Sequence, residues 1–452
     1  MSVLLKWDDI PLKKKEKLAD HLYVTPLSKE VFNPRTKRVE RQKYTGDGVE
    51  AIDIFDEDNV KMTSVPFSYW YHHLSDVQPL SSTIQRTSQN FRFPHPLLER
   101  QKAIREETFE IINRTRSVML CLHTGFGKTI YTLYLLSKIG LKAVIMCHRS
   151  IIIEQWCQSI HKYLPDATYE VMTTKKDFKD VDILICNVIN VPKIDKYKFA
   201  KFGVVVVDEI HTICTEKFIK CLNPIFPDYL IGLSATPFRT DGMDRLIELY
   251  VGPEIVYRPM WRVFNSYKFK TGFKPKVEYQ SDGKINWNSV LSSQTLDDSR
   301  NRMVVGLVHC FCKRTILILV KLRYHATLLK EMILSQNPNE SVSIFMGSDK
   351  IVDFSSRVLI VTTSKGGVGF DHPKLDMLIT AADVEQNFMQ YLGRVFRRDD
   401  VSPIYVDMID DNNTINKHAT TRKKVVEEVG GTMYDFERVF SRFFRMIQEY
   451  AL

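Results

Sequence analysis

The sequence predicts an α/β protein built from two parallel-sheet lobes in tandem, preceded by a smaller region of different character. Three observations carry this. From about Leu97 to Met260, apolar runs ("VMLCL", "AVIMC", "DILIC", "GVVVVD", "YLIGLSA") alternate with helix-like segments. Runs that are apolar at every position, rather than at alternate ones, suit strands buried on both faces, as in a parallel sheet covered by helices. After a stretch rich in Lys, Gly and polar residues the alternation restarts with "TILILV", "SVSIF", "RVLIVTT", "MLITA" and "SPIYVDM". Finally, 452 residues are too many for one hydrophobic core. The predicted divisions are an N-terminal accessory domain (1–90), a first lobe (91–260), a connector (261–298), a second lobe (299–425) and a helical tail (426–452).

The accessory region carries turn signals ("NPRTK", "TGDG") and an aromatic cluster ("FSYWYHHL"), and predicts a small, partly β domain. Its "FNPRTKRVERQKY" reads either as a surface gripping duplex or as a solvated hairpin; balanced charge across the region favours the hairpin. "SSTIQRTSQNFRFPHP" has the composition of a linker. The tail is amphipathic and aromatic ("YDFERVFSRFFRMI") and predicts a helix packed on a lobe.

Composition is that of a soluble globular chain, 44% hydrophobic and 26% charged, with no apolar run near the roughly twenty residues of a membrane span. The start, "MSVLLKWDDIPLKKKEK", meets charge and proline too early for a secretory signal, so the expected location is cytoplasmic. A net charge of +9 suits a polyanionic partner without demanding one. None of the eight cysteines forms a Cys-x-x-Cys pair, and no histidines stand at zinc spacing. They read as reduced core thiols.

The chemistry is concentrated in short motifs. "LHTGFGKT" leaves a strand and enters a helix. Gly125 and Gly127 let the backbone curl its N–H groups toward phosphate oxygens, Lys128 reaches the β/γ-phosphates, and the Thr129 hydroxyl helps hold Mg²⁺. "VVVVDEIH" ends an apolar strand in Asp208 and Glu209. An Asp delivered by a buried strand completes the metal site of a phosphate-loop ATPase, and the adjacent Glu can polarise an attacking water. Surface acids after a core strand would explain this motif alone, but not both motifs in this order. Downstream, "QYLGRVFRR" places Arg394 and Arg397 three residues apart, on one face if helical. Arginines so placed either stabilise charge on a transferring phosphoryl group or form a solvated basic face.

The ordered set Gln101, "HTGFGKT", "CHRSIIIEQW", "DEIH", "GLSATP", "VTTSKGGVGFDHP" and "QYLGRVFRR" resembles a superfamily 2 helicase over about residues 97–425. Within it, "GLSATPFRTDGMD" and "QYLGRVFR" are similar to the XPB and UvsW type of DNA helicase. "LILVKLRYH" and "LHTGFGKT" resemble the transcript-release helicase of poxviruses and its relatives in large cytoplasmic DNA viruses. DEAD-box RNA helicases are less similar, since the acidic motif reads DEIH.

The resemblance implies two RecA-like lobes, ATP and Mg²⁺ as cofactors, and nucleic acid as partner, with DNA favoured over RNA or a hybrid. RNA polymerase or other transcription and repair proteins are further implied partners, and a viral factory or virion a further location. Gln101 would read adenine. Thr124, Gly125, Phe126, Gly127, Lys128 and Thr129 would cradle the triphosphate; from the second lobe Gly369 would join the cofactor site and Asp371 would orient an arginine or the ribose. Asp208 and Thr129 would hold the metal and Glu209 would be the base. His211, Ser234, Ala235 and Thr236 would couple hydrolysis to nucleic acid, and Gln390, Arg394 and Arg397 would close on the γ-phosphate. The family's usual Arg and aromatic before the glutamine are matched here by Leu98 and Arg100. Arg149, Ser150, Asn187, Lys321, Arg323, Thr362, Thr363 and Lys365 match nucleic-acid contacts, although each residue type would serve equally as a cap or surface residue. An RNA helicase and a nucleotide-gated scaffold that binds without unwinding are the competing functions.

Overall fold

Two seven-stranded, wholly parallel sheets form the two compact units of the chain, residues 1–259 and 260–452. The computed structural model describes residues 1–25, 29–33, 38–42, 48–80, 85–89, 91–173, 178–235, 242–281, 283–347, 353, 355–366, 372, 374–385, 387–398 and 400–451, with backbone alone at 29–33, 38–42 and 365–366. Among these residues no helix is long and apolar enough to cross a membrane.

In the first unit the elements run β1 (Ser117–Leu122), α1 (Lys128–Ile139), β2 (Ala143–Cys147), α2 (Ser150–Tyr163), β3 (Tyr169–Met172), β4 (Ile183–Asn187), β5 (Val204–Val207), α3 (Ile210–Ile213), β6 (Tyr229–Ser234) and β7 (Ile255–Arg258). Their order across the sheet is β3-β4-β2-β5-β6-β1-β7. β1, β2 and β5 are buried along their whole length, the burial on both faces that their unbroken apolar sequences predict.

The second unit contains β8 (Phe264–Lys270), α4 (Trp287–Leu296), α5 (Asp298–Cys310), β9 (Ile316–Val320), α6 (Arg323–Gln336), β10 (Val342–Phe345), β11 (Val358–Thr362), β12 (Met377–Thr380), α7 (Phe388–Leu392), β13 (Ile404–Ile409), α8 (Asn413–Glu428), β14 (Gly431–Asp435) and α9 (Ser441–Ala451). Its order, β10-β11-β9-β12-β13-β8-β14, repeats that of the first sheet strand for strand.

Four expectations change. The connector is part of the second unit: β8 lies between β13 and β14. A buried polar cluster fixes it there. The Asp410 carboxylate, just past β13, accepts from Thr271 Oγ1 (2.6 Å), Gln294 Nε2 (2.7 Å) and Arg300 Nε (2.9 and 3.0 Å). The linker is likewise stitched down, since Arg86 pairs with Asp228 (3.0 Å) and donates to the Ala200 carbonyl (2.5 Å). Among the described residues the N-terminal region shares the core of the first lobe. Its strands Ser2–Lys6, Asp53–Glu57 and Val60–Pro66 form an antiparallel sheet, and Val3, Leu5, Val65 and Phe67 join one hydrophobic cluster with Met119, Val205 and Val207 of the lobe. Within that region Lys29–Asn33 and Arg38–Gln42 pair antiparallel. The tail holds the edge strand β14 as well as α9, whose Ile447 is buried against Gly306 of α5.

Arg300 and Asp410 are both fully buried, so removing either leaves the other's charge stranded in the core. Asp410→Ala is expected to lower unfolding stability by about 3–5 kcal/mol, and Arg300→Met combined with Asp410→Ala to recover much of that loss. Chemical denaturation of the two variants measures both values.

Candidate nucleotide site

Between the end of β1 and the start of α1, residues 123–127 turn the chain tightly. Gly125 (φ 88°) and Gly127 (φ 92°) occupy the left-handed region, where a side chain is strained. At Gly127 a Cβ would also stand 2.6 Å from Gln101 Nε2. The loop is braced from within and from the preceding helix. Lys128 Nζ donates across it to the Leu122 carbonyl (2.8 Å). Arg100 donates to the carbonyls of Phe126 (3.2 Å) and Gly125 (3.1 Å). Gln101 is buried, with Nε2 donating to the Gly127 carbonyl (3.2 Å) and Oε1 accepting from the Leu98 N–H (3.0 Å). Its amide is bonded within the loop, a bracing role that the adenine-reading expectation did not include. Thr124 and Thr129 lie half-buried along the loop and Phe126 is buried beneath it.

Four buried valines of β5 carry the chain to Asp208 and Glu209. Glu209 has φ 51°, an uncommon backbone for a non-glycine residue, which costs of order 1–3 kcal/mol and is typical of functional turns. Asp208 Oδ1 accepts the Glu209 N–H (2.9 Å), and Oδ2 accepts the indole N–H of Trp156 (2.9 Å). Burial and the neighbouring Glu209 charge push the Asp208 carboxyl up to about 6, against the pull of the Trp156 N–H and the Lys128 ammonium. Glu209 Oε2 is buried, accepts no hydrogen bond among the described residues, and sits 3.5 Å from His211 Nδ1. His211 Nδ1 also lies 2.8 Å from the buried Ser234 Oγ at the end of β6, and Ala235 follows half-buried. An unmet carboxylate oxygen, a second carboxylate whose charge is costly, and a glycine loop with a lysine are the donor set that Mg²⁺ and a nucleotide triphosphate require.

The remaining sites follow the strand ends. Arg149 and Ser150 are exposed at the start of α2. Asn187 Oδ1 caps the turn after β4 by accepting from the Ile189 N–H (3.2 Å), which is the capping role its residue type also allowed. In the second unit Lys321 and Thr363 meet in one open pocket of about 380 Å³, with Trp287, Asp383 and His418 on its other walls. Arg323 is exposed at the start of α6. Thr362 is buried, its Oγ1 3.2 Å from Ser364 Oγ, and the Thr363 carbonyl accepts from the Tyr391 hydroxyl (2.9 Å). Gln390 lies half-buried on α7. The helix expected to carry both arginines ends early: residues 393–395 form a tight turn, so Arg394 is buried within it and Arg397 lies beyond it. Burial lowers the Arg397 guanidinium to about 10. Thr236, Gly369, Asp371 and the Lys365 side chain lie outside the described residues. Sequence reasoning did not pick out Trp156, Trp287, Asp383 or His418. Of these only Trp156 stood inside a quoted motif.

Known proteins are similar to this chain in sequence and in fold. The family model described as "Type III restriction enzyme, res subunit" matches residues 94–239, which span the loop and the acids. "Putative helicase 161L" of Invertebrate iridescent virus 6 is 35% identical over 371 residues, covering 76% of this chain and 84% of that protein. This chain belongs to the superfamily 2 helicases of large DNA viruses. A more distant relative of the helicase is a "Putative ATP-dependent RNA helicase" of Acanthamoeba polyphaga mimivirus, 21% identical over 82% of this chain and 75% of that protein. Among solved structures, S. cerevisiae Dbp5 bound to RNA and ADP BeF3 covers 79% of the helicase and 98% of its own chain at TM-score 0.51 and 13% identity, a likeness of fold.

The raised Asp208 carboxyl gives a pH test. Between the ordinary carboxyl value and about 6, the folded helicase binds a proton that the unfolded chain releases, so stability is lost as pH rises through that window. In chelator, Asp208→Asn is expected to raise Tm at pH 8 and to lose that advantage by about pH 4. Thermal melts of both proteins across that range check the sign.

Proposed function

We propose that this helicase hydrolyses ATP to move along DNA, in viral transcription, where it would free transcripts, or in repair of branched DNA. The observation that carries the ATPase part is the pairing of a braced Gly-Lys-Thr loop with a carboxylate pair ending a buried strand in the same sheet. Support for DNA comes from the motif resemblance to the XPB and UvsW type and from kinship with proteins of large DNA viruses.

Lys128 and the loop N–H groups would bind the triphosphate. Asp208 and Thr129 would hold Mg²⁺, which when bound neutralises charge on the β- and γ-phosphate oxygens. Glu209, with an oxygen that accepts no hydrogen bond among the described residues, would accept the proton of the attacking water. His211 and Ser234 would sense that change, since their side chains contact each other beside Glu209. Gln390, Arg394 and Arg397 are assigned charge stabilisation from their motif. Arg149, Ser150, Lys321, Arg323 and Thr363 would contact the nucleic-acid backbone, which suits a motor because backbone contacts carry no sequence information.

The test is ATPase rate and strand displacement across single-stranded DNA, duplex, forked DNA, RNA and RNA–DNA hybrid. Greater stimulation by RNA would move the assignment to an RNA helicase, the description given to the mimivirus relative. Glu209→Gln is expected to cut kcat by on the order of a hundredfold or more while leaving nucleotide binding in place. Lys128→Ala should weaken nucleotide binding itself. A scaffold would keep its function in Glu209→Gln, and that result would overturn the motor.

A further inference from the structure

Helix α2 has two ends of different character. Its first residues, Arg149 and Ser150, are exposed, and its N-terminal dipole and N–H groups suit a phosphate. Trp156, about 9 Å further along the axis, is fully buried, and its indole N–H reaches across to Asp208 Oδ2 at 2.9 Å. An indole has one donor and no acceptor, so this bond fixes both the ring orientation and the carboxylate plane.

A second connection starts from the residue before the helix. His148 Nδ1 lies 3.2 Å from Thr212 Oγ1, and Thr212 Oγ1 donates to the Glu209 carbonyl at 2.8 Å. One hydroxyl proton serves one acceptor, so His148 is the donor to Thr212, with its proton on Nδ1. The segment His148–Trp156 therefore holds the acid pair at two points, one on the Asp208 side chain and one on the Glu209 backbone.

We propose that Trp156 is a positioning residue that ties the strand-gripping end of α2 to the metal-holding carboxylate, so that nucleic acid bound at Arg149 and Ser150 adjusts Asp208 through the indole hydrogen bond. This rests on the motor function proposed above and names how the substrate regulates the same site. The physical reason is rigidity. A helix moves as a unit, and a small shift at its exposed end is carried to a side chain locked in the core. The carboxylate at the far end has only the Glu209 N–H as its other hydrogen-bond partner among the described residues, so the indole decides its orientation.

Trp156→Phe keeps most of the buried ring and deletes the N–H. Removing such an outer partner of a metal ligand typically costs ten- to a hundredfold in metal affinity or activity. The expected result is a folded variant in which the Mg²⁺-dependent gain in affinity for a fluorescent ADP analogue drops by about tenfold. Stimulation of its ATPase by nucleic acid should fall by a similar factor. A packing defect alone would lower Tm and leave both ratios unchanged. A folded variant with wild-type Mg²⁺ dependence and wild-type stimulation overturns the proposal.

A measurement on the unsubstituted side chain covers the case where Trp156→Phe does not fold. The chain has five tryptophans, so ¹⁵N-indole labelling gives five N–H signals, and Trp156 is assigned by replacing the other four in turn. Its signal should shift with Mg·ADP and, separately, with saturating nucleic acid, and the second shift should disappear in Arg149→Ala. A Trp156 signal indifferent to nucleic acid in a wild type that binds it overturns the proposal while leaving the motor standing. A wild type that neither binds nucleic acid nor is stimulated by it overturns both.

Discussion

Two adjacent carboxylates at the end of a buried strand are the constraint around which the first unit is arranged. β5 has no polar residue with which to spread the charge, so Asp208 and Glu209 repel each other at a half-buried turn and the Asp208 carboxyl rises to about 6. The counterweights come from elsewhere in the chain: the Trp156 indole from α2, the Lys128 ammonium from the loop, and the Glu209 N–H from a strained backbone. Each counterweight is on an element that the proposed motor would move or fill, so under that proposal the acid pair is where nucleotide and strand would meet.

The two sheets share one strand order, and they differ at the candidate phosphate loop. In both, the strand second from one edge runs into Thr-Gly-Phe: Thr124–Phe126 after β1 and Thr271–Phe273 after β8. In the first unit Gly-Lys-Thr follows and α1 begins at once. In the second, Lys274 and Pro275 follow, and among the described residues the next helix starts at Trp287. Thr271 is buried with its hydroxyl on Asp410, so it is committed to the buried cluster that Asp410 forms with Gln294 and Arg300. Within the shared topology the first unit thus carries the candidate phosphate cradle, and the second unit uses the equivalent position for cohesion.

Much of this was legible because the signals were local. Unbroken apolar runs gave the central strands, and the glycine and acid motifs marked the candidate nucleotide site, since each motif is made of neighbours in sequence. β8 was not legible: "FNSYKFK" carries lysines and an asparagine and reads as connector, yet Phe264, Ser266, Tyr267 and Phe269 are buried. β14 hides behind two glycines and an aspartate at a sheet edge. The end of the helix before Arg397 and the joining of the N-terminal strands to the lobe core are tertiary outcomes, set by packing rather than by propensity. Trp156 had a hydrophobic helix position to explain it. Its partner Asp208 lies far away in sequence, so nothing local showed that its N–H holds a carboxylate.

The contacts expected for nucleic acid divide on the same principle. Asn187 satisfies a backbone N–H two residues on, and Lys321 stands over the Trp287 ring at 5.6 Å, so each side chain has an intramolecular partner. Such bonds are cheap to exchange at an exposed site, because water or a phosphate oxygen replaces them at little net cost. The His148–Thr212 link is different. Burial, helped by the charge of Arg149 and the His211 ring, lowers the His148 imidazole to about 4, so it is neutral through the physiological range. A neutral, half-buried link cannot be exchanged or titrated cheaply near neutral pH. Whatever α2 transmits to the acid pair through it is a mechanical displacement, set by where the helix lies and independent of proton concentration above that value.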